Sequence, residues 1–158
     1  MILGELGDIP PGSVLEPCAG RGAITDAVRS HWPDVPVAQF DINPDITQTT
    51  VRKLDYLDHE DVLTYDLCIT NPPFSLAEEF VRKARTHCRE VIMLLRLGFL
   101  ESNKRAEFWR DNPADVYVLS RRPSFTGGPT DSCPYAWFAW GPGRTGQVKV
   151  LDCRDVMK

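Results

Sequence analysis

Residues 66–75 read DLCITNPPFS. The apolar run Leu67-Cys68-Ile69-Thr70 has the length of a buried strand and stops against Asn71-Pro72-Pro73-Phe74. Proline fixes its own φ and lacks an N–H, so two in succession end the strand and set the loop's direction. What that loop leaves at the strand tip is a carboxamide and an aromatic ring. The position of this tip in a larger sheet decides how the chain is read.

Strand and helix patterns alternate on either side of it. Ser13-Val14-Leu15-Glu16 is a short buried strand stopped by Pro17, followed by the small-residue turn Cys18-Ala19-Gly20-Arg21-Gly22. Ile24, Ala27, Val28 and His31 or Trp32 then recur at helical spacing up to Pro33. Further strands are expected over 35–40, ending at Asp41, over 50–54, ending at Asp55, and over 65–70. Ser75-Leu76-Ala77-Glu78 has the form of a capping box, and Ala77, Phe80, Val81 and Ala84 form an apolar stripe behind it. Glu79 and Lys83 are spaced for an i,i+4 ion pair. The run 90–97, EVIMLLRL, is the most hydrophobic strand and is expected at the centre. A helix over 102–110 and a strand over 116–120 follow. The segments 136–140 and 147–151 suggest an antiparallel pair closed by Gly141-Pro142-Gly143.

This alternation predicts an α/β fold in which parallel strands are joined by right-handed crossovers. In such sheets ligands bind beyond the carboxyl ends of the strands, where the strand order reverses. Glu16, Asp41, Asp55 and Asn71 each end a predicted strand, so all four are expected on one edge.

Composition narrows the field. The chain has 158 residues, 42% hydrophobic and 25% charged, as expected for a single globular domain spanning 1–158. No apolar run approaches the roughly 18 residues that span a bilayer, and the start MILGELGDIPPG lacks the basic region of a secretory leader. A cytoplasmic protein is expected. Cys18, Cys68, Cys88, Cys133 and Cys153 form no CxxC pair, and the three histidines are scattered, so no metal is expected. The net charge of −4 argues against a freestanding nucleic-acid binder. It divides unevenly: residues 1–80 hold 4 basic and 14 acidic side chains (−10) and residues 81–158 hold 14 and 8 (+6). The second half can build an anion-binding face, or the charges can simply be a solvated surface.

VLEPCAGRG (14–22) followed by DLCITNPPF (66–74) resembles the S-adenosylmethionine-dependent amino-methyltransferases, above all the DNA adenine type. The resemblance runs over about residues 13 to 140. The NPPF tetrad carries most of it, since a glycine turn alone is common to many nucleotide-binding proteins. It implies a doubly wound, mostly parallel, seven-stranded Rossmann-like sheet with an antiparallel C-terminal strand. It also implies S-adenosylmethionine as cofactor. By the same resemblance Glu16 lies near the methionine amino group, Pro17 and Cys18 belong with it to the cofactor-binding segment, and Ala19, Gly20 and Gly22 let the backbone approach the cofactor. Asp41 takes the ribose hydroxyls, Asp55 accepts from the adenine amino group, and Ile42 and Tyr56 sandwich that ring. Asp41 also reads as a turn former before Asn43-Pro44, and Asp55 as a helix cap.

The acceptor chemistry explains the tetrad. An exocyclic amino group on a base is a poor nucleophile because its lone pair is delocalised into the ring. Hydrogen bonds accepted from both of its N–H groups, by the Asn71 oxygen and the Pro72 carbonyl, let that pair localise, while Pro73 keeps the loop rigid. Phe74 offers a stacking face, a contact worth on the order of 1–3 kcal/mol. Aligning nitrogen and methyl can supply roughly 7–11 kcal/mol. No strong general base is required.

Phe125 is expected on the other face of an extruded base, with Arg121 and Arg122 on phosphates; Trp137 and Trp140 are expected in the core. The pattern GG-PTD-YAW over 127–137 also looks like that of small phage-borne methyltransferases. Such a small core leaves no room for a separate target-recognition domain, which implies weak or short-site specificity, a preference for single-stranded or distorted DNA, or a recognition partner or second copy. Methyl transfer to RNA guanine, DNA cytosine or protein glutamine, and a non-catalytic subunit of the same fold, are the competing readings.

Overall fold

The computed structural model describes residues 2–7, 10–43, 45, 49–60, 63–124 and 130–153. Eight strands form one sheet: β1 (Val14–Glu16), β2 (Val37–Asp41), β3 (Val51–Lys53), β4 (Tyr65–Thr70), β5 (Cys88–Arg96), β6 (Asp115–Leu119), β7 (Tyr135–Trp140) and β8 (Val148–Leu151). Their spatial order is β3-β2-β1-β4-β5-β7-β6-β8. Every neighbouring pair is parallel except the two made by β7, which runs antiparallel to β5 and β6. The chain moves outward from β1 to β3 and returns to β4 on β1's other side. The strand order therefore reverses between β1 and β4.

Among the described residues three α-helices cover the faces: α1 (Ala23–His31), α2 (Ala77–His87) and α3 (Ala106–Asp111). Side chains of the central strands alternate between two cores, as the period of a strand requires. Cys68, Val91, Met93, Leu95, Ala136, Phe138 and Trp140 pack with Phe80, Val81 and Ala84 of α2 and Phe108 of α3. Leu67, Ile69, Ile92, Leu94, Trp137 and Ala139 pack on the other face with Val28 of α1, Trp32, Ile2 and Leu3. A fully buried side chain of this size stabilises the fold by about 1.5–3 kcal/mol, so the β4-β5-β7 centre anchors the sheet. All five cysteines are free thiols. Among the described residues no helix is long and apolar enough to cross a membrane.

The structure departs from the sequence expectations in four places. The sheet has eight strands rather than seven, and its antiparallel member is β7, not the last strand. β8 makes no hairpin with β7 and instead pairs in parallel with β6. The reason lies in Asp115, whose Oδ1 accepts from the backbone N–H groups of Thr145, Gly146 and Gln147 at 3.0–3.1 Å. That capture carries the chain past β6 before it extends again. No side chain caps α2: a 3₁₀ turn over Phe74–Leu76 leads into the helix, and Ser75 lies inside that turn. Finally, Lys83 does not pair with Glu79. Its ammonium bonds the carbonyls of Leu57, at 2.9 Å, and His59, while Arg82 takes Glu78 at 2.8 Å.

Because β1 to β4 come from the first 70 residues, the acidic half of the chain occupies one half of the sheet and the basic half the other.

Candidate active site

The reversal between β1 and β4 opens a cleft of about 890 Å³ above the carboxyl ends of the strands, within the range of small-molecule and cofactor pockets. Glu16, Pro17, Cys18, Ala19 and Gly20 reach it from the end of β1, Asp41 and Ile42 from β2, Asp55 and Tyr56 from beyond β3, and Asn71, Pro72, Pro73 and Phe74 from β4. Of the residues assigned to catalysis or cofactor from sequence, Gly22 alone is not in the lining. It adopts φ +86° at the start of α1, and its N–H bonds the carbonyl of Ala19 at 2.8 Å. A smaller cavity of about 420 Å³, lined by Pro11, Gly12, Trp32, Asp66, Arg89 and Glu90, lies at the opposite edge, by the amino ends of the strands.

Backbone bonds build the turn after β1. Ala19 N–H donates to the carbonyl of Phe40 at 2.9 Å, and Gly20, with φ +51°, donates its N–H to Asp41 Oδ2 at 2.7 Å. A Cβ on Gly20 would meet nothing within 4 Å, so the loop faces open space there, and positive φ is the constraint that favours glycine. Asp41 Oδ1 accepts from Asn43 N–H at 2.8 Å. The turn-forming role and the position at the cleft therefore belong to the same side chain. Asp55 likewise caps its own turn through Leu57 N–H at 2.9 Å.

Glu16 is 1% exposed and accepts from the hydroxyl of Thr25, itself fully buried in α1. Burial pushes its carboxyl up to about 7; hydrogen bonds from the Thr25 hydroxyl and backbone oppose this, and the Asp26 and Asp41 carboxylates reinforce it. Burial also pushes the Cys18 thiol up to about 12. A thiol that stays protonated near neutral pH packs the cleft and is no nucleophile.

At the β4 tip the Asn71 carboxamide oxygen is buried without a hydrogen-bond partner among the described residues. Buried polar atoms in native proteins are nearly always paired, and exceptions mark functional places. Pro72 is buried behind it, and the carbonyl of Pro73 accepts from Leu76 N–H at 3.0 Å. The Phe74 ring stands between the cleft and a second cavity. Tyr135 lies 5.5 Å from it, ring centre to ring centre, and the Arg96 guanidinium is 4.7 Å from its centre.

Several assigned residues sit differently from expectation. Tyr56 belongs mainly to the core, its ring 5.4 Å from Phe80 and its hydroxyl 3.1 Å from His87 Nε2, so little of its face is open to an adenine. Ile42, by contrast, is 66% exposed. Arg121 and Arg122 are exposed beyond β6 and are not among the lining residues. Phe125 lies outside the described residues. Trp140 is a core residue, whereas Trp137 also lines the cleft opposite Leu94 in the β5–β7 register. Thr25 went unassigned, though a polar residue three before Val28 on the apolar stripe of α1 is a legible signal. Among the described residues no group of three His, Cys, Asp or Glu side chains is placed to hold a metal ion.

No protein-family model and no curated protein matches the chain. Solved structures do. A Listeria monocytogenes protein classed provisionally as a class I S-adenosylmethionine-dependent methyltransferase superposes with a TM-score of 0.70 at 13% identity, over 95% of this chain and 62% of its own. The fold is that of the class I methyltransferases. The modification subunit of a provisionally assigned type I restriction enzyme from Vibrio vulnificus gives 0.64 at 14% identity, over 93% of this chain and 43% of that one. The 23S rRNA methyltransferase ErmE gives 0.62 at 15%, over 96% and 68%. The chain thus spans less than two thirds of the first two.

Proposed function

We propose that this protein transfers a methyl group from S-adenosylmethionine to the exocyclic amino group of adenine in DNA, with low sequence specificity. One observation carries the reading: Asn71 Oδ1 is a buried acceptor with no partner among the described residues, and it shares a cleft with Glu16 and Asp41. Leaving such an atom unpaired costs roughly 1–3 kcal/mol. An amino N–H brought to it relieves that cost.

The cleft suits the cofactor. Its volume is ample, its Gly20 turn faces open space, and the carboxylates of Glu16 and Asp41 match an ammonium and a ribose diol. When bound, S-adenosylmethionine supplies an electrophilic methyl group. Each Asp41 oxygen already accepts one backbone N–H and keeps a further lone pair for a ribose hydroxyl. Asp55 would accept from the adenine amino group, and the exposed face of Ile42 would cover the ring. At the acceptor, Asn71 Oδ1 and the Pro72 carbonyl accept from the two amino hydrogens; Pro73's carbonyl is engaged by Leu76. The lone pair then localises on nitrogen and points along the line of transfer. As the new N–C bond forms, the methyl's bond to sulfur would break with a neutral thioether as leaving group, and one amino hydrogen would pass to solvent as a proton. Phe74 stacks the base on its cleft side.

Residues 1–158 act on this reading as a single catalytic domain in the cytoplasm. Sequence readout comes from a partner chain or a second copy, and single-stranded or distorted DNA is the easier substrate because extruding a paired base costs a few kcal/mol. The test is to incubate the protein with labelled cofactor and either DNA or RNA of random sequence, digest the product and identify the labelled nucleoside. The reading expects N6-methyladenine in DNA at many sequences. Label found only in RNA guanine, in DNA cytosine or in protein overturns the adenine assignment, and label confined to one long DNA site overturns the low specificity.

A further inference from the structure

Phe74 has a cavity on each side. Behind it, away from Asn71, a second cavity of about 440 Å³ is walled by Phe74, Ser75, Leu95, Arg96, Phe99 and Arg105. Two of these walls are aromatic rings, and each carries a guanidinium: Arg96 lies 4.7 Å from the centre of Phe74, and Arg105 lies 4.8 Å from the centre of Phe99.

Both cations are held in place. Arg105 donates through Nε to the carbonyl of Phe99 at 2.9 Å and through Nη2 to those of Gly98 and Glu101 at 3.3 and 3.2 Å. These partners are neutral carbonyls, so they orient the charge without cancelling it. Arg96 donates through Nε to the Tyr135 hydroxyl at 3.5 Å, and its Nη2 is 4.0 Å from Asp131. Tyr135 in turn donates to Asp131 at 2.8 Å. With its side chain 49% exposed, Arg96 stays open to a further anion. Two fixed guanidinium groups flanked by rings form a place for a phosphate with a base beside it.

We propose that this second cavity takes the phosphodiester next to the acceptor base, which makes the substrate of the Asn71 site a polynucleotide strand and not a free nucleoside or a protein amide. The inference rests on the methyl-transfer reading above. Phe74 is then a partition, with the acceptor base on its cleft side and the strand's backbone on the Arg96 side. The arrangement agrees with the charge division of the sheet. The last residue of β5, Arg96, and the segments beyond β5 and β6, with Lys104, Arg105, Arg121 and Arg122, carry cations, while the carboxylates Glu16, Asp41 and Asp55 lie on the cofactor side.

The test is binding of a labelled single-stranded oligonucleotide of random sequence, as DNA and as RNA, measured across a range of salt in the presence of S-adenosylmethionine. Arg96→Gln is expected to weaken binding about 3- to 10-fold at low salt and to lower the slope of log K against log salt by about 0.7–1. Arg96→Lys retains most of the slope. Gly98→Asp places a carboxylate in the cavity from a position where a new Cβ meets nothing within 4 Å, and weakens binding at least as much. Cofactor affinity stays at the wild-type level in all three, which shows the fold intact. If Arg96→Gln and Gly98→Asp both bind with wild-type affinity and slope while the wild type methylates the oligonucleotide, the subsite is wrong and the methyl-transfer reading stands. If the wild type neither binds nor methylates any strand, both fall together.

Discussion

Thr25 donates its hydroxyl to Oε2 of Glu16, and neither side chain reaches solvent. The bond joins the first turn of α1 to the tip of β1 and fixes the carboxylate that faces the cleft. It also sets the proton balance of the site, because Glu16 is held between a burial that favours its neutral form and a donor that favours its charged form.

The folded Glu16 carboxyl sits at about 7 against an ordinary 4.5. Between these values the native state holds a proton that the unfolded chain has released. Stability from this group is therefore complete below the lower value and declines as pH rises through about 7. At 1.36 kcal/mol per pKa unit, the ionised group destabilises the cofactor-free protein by up to about 3 kcal/mol above that range. Glu16→Gln should raise the melting temperature at about pH 8, leave it nearly unchanged at about pH 5, and abolish cofactor binding. In the wild type, cofactor affinity should fall as pH drops below about 7, by at most about tenfold per pH unit. Calorimetric titration across pH measures this, and a flat profile contradicts the assignment of Glu16 to the cofactor's ammonium.

Thr25→Val keeps the shape of the side chain and removes the donor. With the hydroxyl's lowering influence gone, the midpoint of that affinity profile should move to higher pH, and Thr25→Ser should return it. A merely structural role for Thr25 would lower stability without moving the midpoint. The profile, not the melting temperature, is the measurement that decides.

Asp115 governs the outer edge of the sheet. Burial alone would raise its carboxyl, but backbone N–H groups of Gln147 and Thr145, the Arg144 guanidinium and the N–H of Gly146 outweigh that and hold it below its ordinary 3.8. Its contribution is present above 3.8 and is lost as pH falls through the lower folded value. Asp115→Ala should destabilise the protein by on the order of 3 kcal/mol, as expected for losing several hydrogen bonds to a charged acceptor. Protection of β8 amides from hydrogen exchange should fall with it. Unchanged exchange at Val148 to Leu151 would show that β8 does not depend on this capture.

The stretches that the sequence made legible are those in which one physical signal dominates. Leu67 to Ile69 and Val91 to Leu95 are continuous apolar runs, and they are the buried centre of the sheet. The strand tips carrying Glu16, Asp41, Asp55 and Asn71 follow from strand direction alone, because parallel strands leave their carboxyl ends on one edge. What stayed hidden depended on partners distant in the chain. β8 lands on β6 because Asp115 reaches three N–H groups about 30 residues later. Lys83 passes over Glu79 for two carbonyls in the connection between β3 and β4. Arg96 reads as the polar end of an apolar strand, and nothing local says that its guanidinium lies on Phe74.

The proposal turns on whether the Asn71 oxygen receives the amino hydrogen of the acceptor. Asn71→Ala removes an acceptor that is unpaired in the cofactor-free protein, so it should raise stability by about 1 kcal/mol and leave cofactor affinity unchanged. The decisive measurement is single-turnover methyl transfer by this variant with cofactor and DNA both saturating. The account predicts a rate lowered about 10²- to 10³-fold, the usual effect of removing one preorganised hydrogen-bond partner from a reacting centre. A wild-type rate in a folded, cofactor-bound Asn71→Ala protein would contradict it.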